Sequence, residues 1–289
     1  MQTRHIGNET VGAIGLGLMT FDQSGPQPRE QLLDTVRAAV DSGVTLFDTA
    51  DAYGPGERGA AAQGENERLI ASLIDELGVR DQILLATKGG HVRTDDEGGW
   101  DTDSSPAHLH AAVDASLERL GVDVIDLWQH HRPDPAVPYE EVIGTLQEIH
   151  ATGKVRMLGL SNADPEQIRM AHDVLGDALV SVQNQFSPAF RSSAPEIEVC
   201  AELGLAFLPW SPLGGLGDAK ELGEKHPAFA EIASTRGVSP QQVALAWELA
   251  QSDCVIPIPG AKRPSSITDS AAAAELTLPD EELARLAAS

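Results

Sequence analysis

Two apolar segments of the sequence end in side chains that can take part in proton transfer. Residues 44–48 form a short apolar run that ends at Asp48, and Tyr53 follows five residues later. Residues 83–88 form a second run, which ends at Lys88. Short apolar runs of this kind are typical of buried strands in a parallel sheet. The sequence therefore predicts an acid, a phenol and an ammonium group at strand ends.

The lysine at the end of the second run requires a partner. A charge isolated in a buried strand is costly unless it is paired or loses its proton. Asp48 is the obvious partner for Lys88, and the pair would place an ammonium group beside Tyr53. On residues 44–54 alone, Tyr53 could simply cap the core and Asp48 could open a turn. The second strand end favours the chemical interpretation.

A third strand, predicted over residues 122–131, ends in two adjacent histidines. His130 and His131 cannot both face the same side of a sheet, because successive side chains along a strand alternate. The strand pattern alone leaves the choice between them open. Three strand ends together supply Asp, Tyr, Lys and His, a set suited to proton transfer.

These side chains and the segments around them resemble the aldo-keto reductases. The resemblance covers the chain from Gly15 to Leu286 and rests on four motifs that occur in that family's order: D-T-A-D-A-Y-G at 48–54, T-K at 87–88, L-G-V-D-V-I-D-L at 120–127 and H-R-P-D-P at 131–135. It implies a catalytic tetrad of Asp48, Tyr53, Lys88 and His131, because the family's histidine directly precedes this type of loop. His130 is then a packed or solvated residue.

The resemblance implies reduction of an aldehyde or ketone, with a hydride from a nicotinamide cofactor and a proton from Tyr53. A free tyrosine has a pKa of about 10, which makes it a weak acid at neutral pH. We therefore expect Lys88 to lower the pKa of Tyr53, while Asp48 keeps the ammonium group charged and oriented. His131 would orient the carbonyl group or share the proton transfer. The choice among aldehydes, ketones, sugars and pyridoxal lies in the loops and stays open.

The resemblance also marks a set of cofactor-binding residues and implies NADPH as the cofactor. Ser161, Asn162 and Gln183 match the groups that hold the nicotinamide carboxamide, and Trp210 matches the aromatic side chain that stacks on the nicotinamide. The pyrophosphate and adenosine ends are expected along a further set of residues, namely Ser211, Leu213, Gly215, Gly260, Lys262, Arg263, Ser266, Asp269 and Ser270.

The adenosine segment departs from the family pattern. Many members have lysine after the proline, an arginine six positions further on and then an asparagine, where this chain has Gly260, Ser266 and Ser270. The basic pair Lys262 and Arg263 is expected to hold the 2′-phosphate instead. NADH therefore remains an alternative to NADPH.

Alternating strand and helix patterns predict an α/β fold, a (β/α)8 TIM barrel with parallel strands and outer helices. About eight strand–helix repeats follow one another at roughly 30-residue spacing, with no composition break, so residues 1–289 form one predicted domain. Active sites of such barrels lie at the carboxyl ends of the strands. The loops expected to wall the substrate pocket are 23–28, 53–63, 89–105 with Trp100, and 131–138.

Composition narrows the classes of partner. The chain has 44 acidic and 20 basic residues, which gives a net charge of −24. This charge argues against nucleic acid or an anionic membrane as a partner, because both bind basic surfaces. No signal peptide or membrane-spanning run is evident, so we expect a cytoplasmic protein that acts on a small-molecule carbonyl substrate. Its oligomeric state stays open. Cys200 and Cys254 lack metal-ligand spacing and are expected to be buried free thiols.

The sequence also permits three other interpretations. The glycines of residues 12–17 could belong to a dinucleotide-binding loop, but such a loop must open a helix, and strand and loop residues follow here. A metal-dependent hydrolase is disfavoured because no His-x-His motif or carboxylate cluster marks the strand ends. A nucleotide-binding regulatory subunit of the same fold, like the potassium-channel β subunits, stays open.

Overall fold

Strands and helices alternate along most of the chain in a computed structural model, which describes residues 1–23, 25, 27–94, 99–215 and 218–289. The strands in these ranges are β1 (Thr3–Ile6), β2 (Glu9–Gly12), β3 (Leu16–Gly17), β4 (Leu46–Asp48), β5 (Leu84–Gly89), β6 (His91–Arg93), β7 (Trp100–Thr102), β8 (Ile125–His130), β9 (Val155–Ser161), β10 (Leu179–Gln183) and β11 (Ala206–Phe207). The α-helices are α1 (Arg29–Asp41), α2 (Glu65–Leu77), α3 (Pro106–Leu120), α4 (Tyr139–Ala151), α5 (Pro165–Leu175), α6 (Ala194–Leu203), α7 (Leu222–Lys225), α8 (Pro227–Arg236), α9 (Pro240–Leu249), α10 (Pro264–Ala272) and α11 (Asp280–Ala287).

Seven parallel strands form one sheet in the order β3-β4-β5-β8-β9-β10-β11. Residues 255–260 occupy an eighth position between the two edges of this sheet. Val255 makes a parallel bridge to Phe207 of β11, and Gly260 makes one to Gly17 of β3. The sheet therefore closes on itself, and the predicted (β/α)8 barrel is confirmed.

The eighth strand is irregular because two of its residues are prolines. Pro257 and Pro259 have no backbone N–H and cannot donate to a neighbouring strand. They still accept hydrogen bonds, from Gly15 N to Pro257 O at 2.9 Å and from Gly17 N to Pro259 O at 3.0 Å. On the opposite side the backbone N–H groups of Ile256 and Ile258 donate to Phe207 O and Pro209 O, at 2.8 and 3.2 Å, so this strand closes the barrel with acceptors toward β3 and donors toward β11.

Aliphatic side chains fill the barrel interior at the amino ends of the strands. Leu46 and Leu84, the first residues of β4 and β5, pack in one cluster with Met157 of β9. Ile6 and Val11 of the antiparallel β1–β2 hairpin belong to the same cluster. The hairpin therefore closes the amino end of the barrel, which leaves the carboxyl end for polar side chains.

Helix starts follow the local sequence. Ser105 accepts a hydrogen bond from His108 N at the start of α3, and Asp164 and Gln167 form a capping box at the start of α5. Each cap is followed by proline, whose missing N–H costs nothing in a first turn. None of the described helices is both long and apolar enough to cross a membrane.

Two expectations need correction in detail. The segment 89–105 contains the antiparallel β6–β7 hairpin, which its polar composition did not indicate, and residues 95–98 within it lie outside the described residues. Cys200 is buried, but Cys254 is only partly buried, and both thiols are free. Cys254 is partly exposed because it lies just before the eighth strand, next to the exposed residue Asp253.

Glu248 of α9 supports a prediction about stability. Its side chain is fully buried, and neither carboxylate oxygen has a hydrogen-bond partner among the described residues. Burial raises its pKa well above the ordinary 4.5, so the folded chain retains a proton that the unfolded chain releases. Stability contributed by this proton is present at acidic pH and is lost as pH rises above that ordinary value.

We therefore expect Glu248→Leu to raise the melting temperature at pH 8 more than at pH 5. The matched control is Glu281→Leu, because Glu281 is exposed on α11. Thermal unfolding of both variants and the wild type across this pH range measures the effect. A pH response of Glu248→Leu equal to that of the control would contradict a protonated Glu248.

Candidate functional site

The carboxylate of Asp48 is the centre of a buried hydrogen-bond cluster at the carboxyl ends of four strands. Lys88 Nζ donates to Asp48 Oδ2 at 2.6 Å, while Gln129 Nε2 and Gln183 Nε2 donate to Asp48 Oδ1 at 3.0 and 2.9 Å. Lys88 is fully buried, and Asp48 is 2% exposed. The structure therefore brings Asp48 and Lys88 together as a buried ion pair whose acceptor oxygens are both occupied.

Lys88 also reaches Tyr53. Its Nζ lies 3.3 Å from Tyr53 Oη and donates to the backbone oxygen of Thr49 at 2.8 Å. Burial opposes the charge on Lys88, but Asp48 and Tyr53 outweigh it, and the pKa of Lys88 is raised. The ammonium group is thus held in its charged form beside the phenol.

The pKa of Tyr53 differs from the expectation drawn from the sequence. Burial raises it above its ordinary value of 10.0, and this effect outweighs the lowering by Lys88. The negative charges of Asp48 and Asp51 raise it further. The predicted lowering by Lys88 is present, but burial reverses the net shift, so Tyr53 keeps its proton at neutral pH.

The two adjacent histidines point to different surroundings, as strand alternation requires. His131 lines the cavity, with its ring centroid 5.7 Å from that of Tyr53 in an edge-on contact. His130 is buried, and its Nε2 lies 2.8 Å from Ser104 Oγ. Burial and the nearby charge of Lys88 hold the pKa of His131 well below 6.5, so its imidazole is neutral.

One cavity of about 1150 Å³ connects the tetrad to the predicted cofactor residues. Asp48, Tyr53 and His131 line it, whereas the fully buried Lys88 is not part of its wall. Every predicted cofactor-binding residue also lines it: Ser161, Asn162, Gln183, Trp210, Ser211, Leu213, Gly215, Gly260, Lys262, Arg263, Ser266, Asp269 and Ser270. The structure thus brings together residues that are far apart in the sequence.

Asn162 links the tetrad to the indole of Trp210. Its Nδ2 donates to the backbone oxygen of His131 at 3.0 Å, and its Oδ1 accepts from Trp210 Nε1 at 3.2 Å. Asn162 and Ser211 both adopt positive φ angles, of 59° and 51°. Such backbone conformations cost about 1–3 kcal/mol each for residues other than glycine and cluster at functional sites. Asn162 therefore orients the indole of Trp210, and both polar atoms of its own side chain already form hydrogen bonds.

The predicted carboxamide residues are largely engaged within the protein. Ser161 Oγ donates to the backbone oxygen of Gln183 at 2.8 Å and accepts from Asn162 Nδ2 at 3.0 Å. Gln183 uses its amide nitrogen for Asp48 and Gln129. The side-chain oxygen of Gln183, Oε1, makes no hydrogen bond to a described residue, so it is left as an acceptor for a ligand.

The far end of the cavity carries the basic pair at the start of α10. Neither Lys262 nor Arg263 forms an ion pair with any described residue. A Cβ at Gly260 would lie 2.8 Å from Thr20 Cγ2, so a side chain there would force Thr20 to move. Asp269 already accepts from Ser239 Oγ and Gln242 Nε2, at 2.7 and 2.6 Å.

Sequence reasoning missed several residues of the site. Gln129 could have been found from strand alternation, because it lies between Leu127, which packs in the barrel interior, and His131. His91 and Arg132 line the cavity within the predicted wall segments 89–105 and 131–138, although the sequence did not single them out. Four further lining residues lie outside those segments and carry no signal that a single sequence reveals, namely Thr20, Gln31, Lys220 and Gln241. Of the predicted pocket walls, Ser24, Pro26 and residues 95–98 lie outside the described residues. In the described ranges, no three His, Cys, Asp or Glu side chains are grouped to hold a metal ion.

Comparison with known proteins identifies similar chains. The model of the aldo/keto reductase family matches residues 13–289. The Schizosaccharomyces pombe aldo-keto reductase yakc, whose name includes NADP(+), is 32% identical to this chain. The matched region covers 96% of this chain and 88% of the yakc chain. The 6-dehydroglucose reductase of Novosphingobium aromaticivorans is 35% identical to this chain, and the matched region covers 91% of this chain and 86% of the reductase.

Solved structures agree with these similarities. A Klebsiella pneumoniae aldo/keto reductase, in complex with NADP and acetate, superposes with a TM-score of 0.81 at 27% identity, over 98% of this chain and 93% of that one. The glycerol dehydrogenase of Gluconobacter oxydans superposes with a TM-score of 0.82 at 25% identity, over 99% and 94%.

The buried ion pair leads to a stability prediction. Lys88→Met should lower the free energy of unfolding by roughly 3–5 kcal/mol, because it leaves the Asp48 carboxylate buried without its cation. Lys154→Met is the matched control, since it breaks an exposed pair with Asp114. Denaturant unfolding at neutral pH measures both, and equal midpoints for the two variants would contradict a buried pair. Adding Asp48→Asn to Lys88→Met should recover part of the loss.

Proposed function

The chain belongs to the aldo/keto reductase family, and we propose that it is an NADPH-dependent oxidoreductase that reduces an aldehyde or ketone to an alcohol. One observation carries the proposal. The charged end of Lys88 lies 3.3 Å from the phenol oxygen of Tyr53 and 2.6 Å from Asp48, and both of these residues line the cavity. This arrangement holds a proton donor beside a fixed positive charge.

The side chains of the tetrad divide the proton transfer between them. Tyr53 retains its proton at neutral pH and would donate it to the carbonyl oxygen of the substrate. The adjacent ammonium group of Lys88 would stabilise the phenolate that remains on Tyr53. Because Asp48 already holds this ammonium group in place, the protein need not rearrange during the reaction. His131 is neutral and would hydrogen-bond to the same carbonyl oxygen, which fixes the orientation of the substrate.

The cavity fits a nicotinamide dinucleotide phosphate. Trp210, held by Asn162, offers an aromatic face near the tetrad. Lys262 and Arg263 offer two positive charges at the other end, where a 2′-phosphate would need them. When bound, the nicotinamide supplies the hydride that reduces the carbonyl carbon. The relatives named for NADP(+) or solved with NADP support this cofactor, and NADH remains the alternative.

The proton donor is tested by Tyr53→Phe, with Tyr139→Phe as the matched control, since the chain has two tyrosines. General acid catalysis contributes about 10²–10⁴-fold to rates. Tyr53→Phe should lose that factor in the turnover of 4-nitrobenzaldehyde with NADPH, while both variants bind NADPH as the wild type does. A Tyr53→Phe rate above about a tenth of wild type, with chemistry limiting, would rule out Tyr53 as the acid.

The same assay separates the enzyme from a regulatory subunit of the same fold. A regulatory subunit would bind NADPH yet consume none with any of a panel of aldehydes and ketones. Measured turnover by the wild type therefore favours the enzyme directly.

The basic pair is tested by replacing Lys262 and Arg263 with alanine. Two charge-assisted contacts to a phosphate should be worth roughly 2–4 kcal/mol of NADPH affinity, with little change for NADH. Replacing Lys154 and Arg156, which lie outside the cavity wall, is the matched control for net charge. Fluorescence titration of both cofactors measures the affinities, and rising salt should reduce the wild-type preference. Equal losses for NADPH and NADH would place the phosphate elsewhere.

A further inference from the structure

Arg132 lies next to the tetrad without a described partner. It directly follows His131, lines the same cavity and is exposed. No described carboxylate lies within 4.0 Å of its guanidinium group, and no described acceptor forms a hydrogen bond with it. Its positive charge reaches the site, because it helps to lower the pKa values of both His91 and His131.

The other positive charges near the tetrad are already engaged. Lys88 is paired with Asp48 at 2.6 Å. Arg93 donates to the backbone oxygens of Gly54, Pro55 and Gly56 and lies 5.0 Å from the centroid of the Trp100 ring. Arg132 is therefore the cation at this end of the cavity that is left for a ligand, as far as the described chain shows.

The described cavity wall offers little competing negative charge. Its carboxylates are those of Asp48 and Asp269. The first is neutralised by Lys88, and the second accepts hydrogen bonds from Ser239 and Gln242. The net charge of −24 opposes the approach of any anion, so a bound anion requires a local cation.

An aromatic surface lies at the same end of the cavity. His91 stacks on Trp100 with ring centroids 4.7 Å apart and an interplanar angle of 23°. His91 also meets His131 edge-on, with centroids 4.9 Å apart. Burial lowers the pKa of His91 to about 4, so this surface is neutral at physiological pH. This aromatic surface is therefore suited to contact the carbon skeleton of a substrate rather than a charged group.

We propose that Arg132 forms a subsite for an anionic group on the substrate, so that the preferred carbonyl compounds carry a carboxylate away from the reacting carbon. The guanidinium group would hold the carboxylate through paired N–H donors, a geometry that lysine does not reproduce. This inference rests on the proposed carbonyl reduction and specifies its class of substrate.

A pair of substrates that differ only in charge tests the subsite. The wild type should reduce 4-carboxybenzaldehyde with a kcat/KM at least about tenfold above that for its methyl ester, since tenfold corresponds to one modest charge-assisted contact. Arg132→Met should bring this ratio close to one, and Arg132→Lys should retain part of it. Arg156→Met, outside the cavity wall, should keep the wild-type ratio. Added salt should lower the wild-type ratio.

Binding provides a second readout that needs no turnover. Tryptophan fluorescence reports binding of the alcohol product 4-(hydroxymethyl)benzoate and of its methyl ester, with Trp100 at this end of the cavity. The wild type should favour the carboxylate about tenfold, and Arg132→Met should lose that preference.

The contradicting outcomes are distinct from failure of the proposed function. A wild type that treats acid and ester alike, or an Arg132→Met variant that keeps the preference, overturns the subsite. The same holds if Arg132→Met weakens NADPH binding and leaves the ratio unchanged, because Arg132 would then serve the cofactor. A wild type that reduces neither substrate nor 4-nitrobenzaldehyde contradicts the reductase itself, and the binding measurement then decides the subsite alone.

Discussion

The ion pair between Asp48 and Lys88 is the interaction on which the site depends. Two charges in a barrel interior are stable only when their geometry is good and their remaining hydrogen-bonding capacity is satisfied. Four strands meet that requirement here: β4 supplies the carboxylate, β5 the ammonium group, and β8 and β10 supply Gln129 and Gln183 as further donors. The pair therefore fixes the relative positions of four strand ends at once.

Closure of the barrel is what allows four strand ends to meet at one carboxylate. Aliphatic side chains and the β1–β2 hairpin fill the amino end of the barrel. The polar cluster therefore lies at the carboxyl end, which solvent and ligands can reach. Asn162 then extends the fixed region by joining the backbone of His131 to the indole of Trp210. One continuous set of hydrogen bonds thus runs from the proposed proton donor toward the proposed cofactor.

Much of this arrangement could be predicted from the sequence, because it depends on local patterns. Apolar runs that end in polar residues located Asp48, Lys88 and His131 at strand ends, and repeated strand–helix units predicted the barrel. The apolar residues of the segment 255–259 also indicate the eighth strand, although Pro257 and Pro259 make it irregular. Strand alternation would also have found Gln129.

The rest depends on contacts between distant parts of the chain. The sequence predicts that Lys88 lowers the pKa of Tyr53, but it does not show that burial outweighs this effect, because burial is set by the whole fold. The β6–β7 hairpin has short polar strands whose pairing no local pattern shows. That Arg132 lacks a described partner follows from where the carboxylates lie in space, which the sequence does not reveal.

The proposed role of Tyr53 as proton donor is tested most directly by titrating its phenol in the folded protein. The chain has two tyrosines, so Tyr139→Phe leaves Tyr53 as the single source of tyrosinate absorbance near 295 nm. We expect the midpoint of tyrosinate formation in the folded variant to lie above about pH 10, because burial outweighs the effect of Lys88 on the pKa of Tyr53. A midpoint below about pH 10 in a protein that is still folded would contradict a raised pKa of Tyr53.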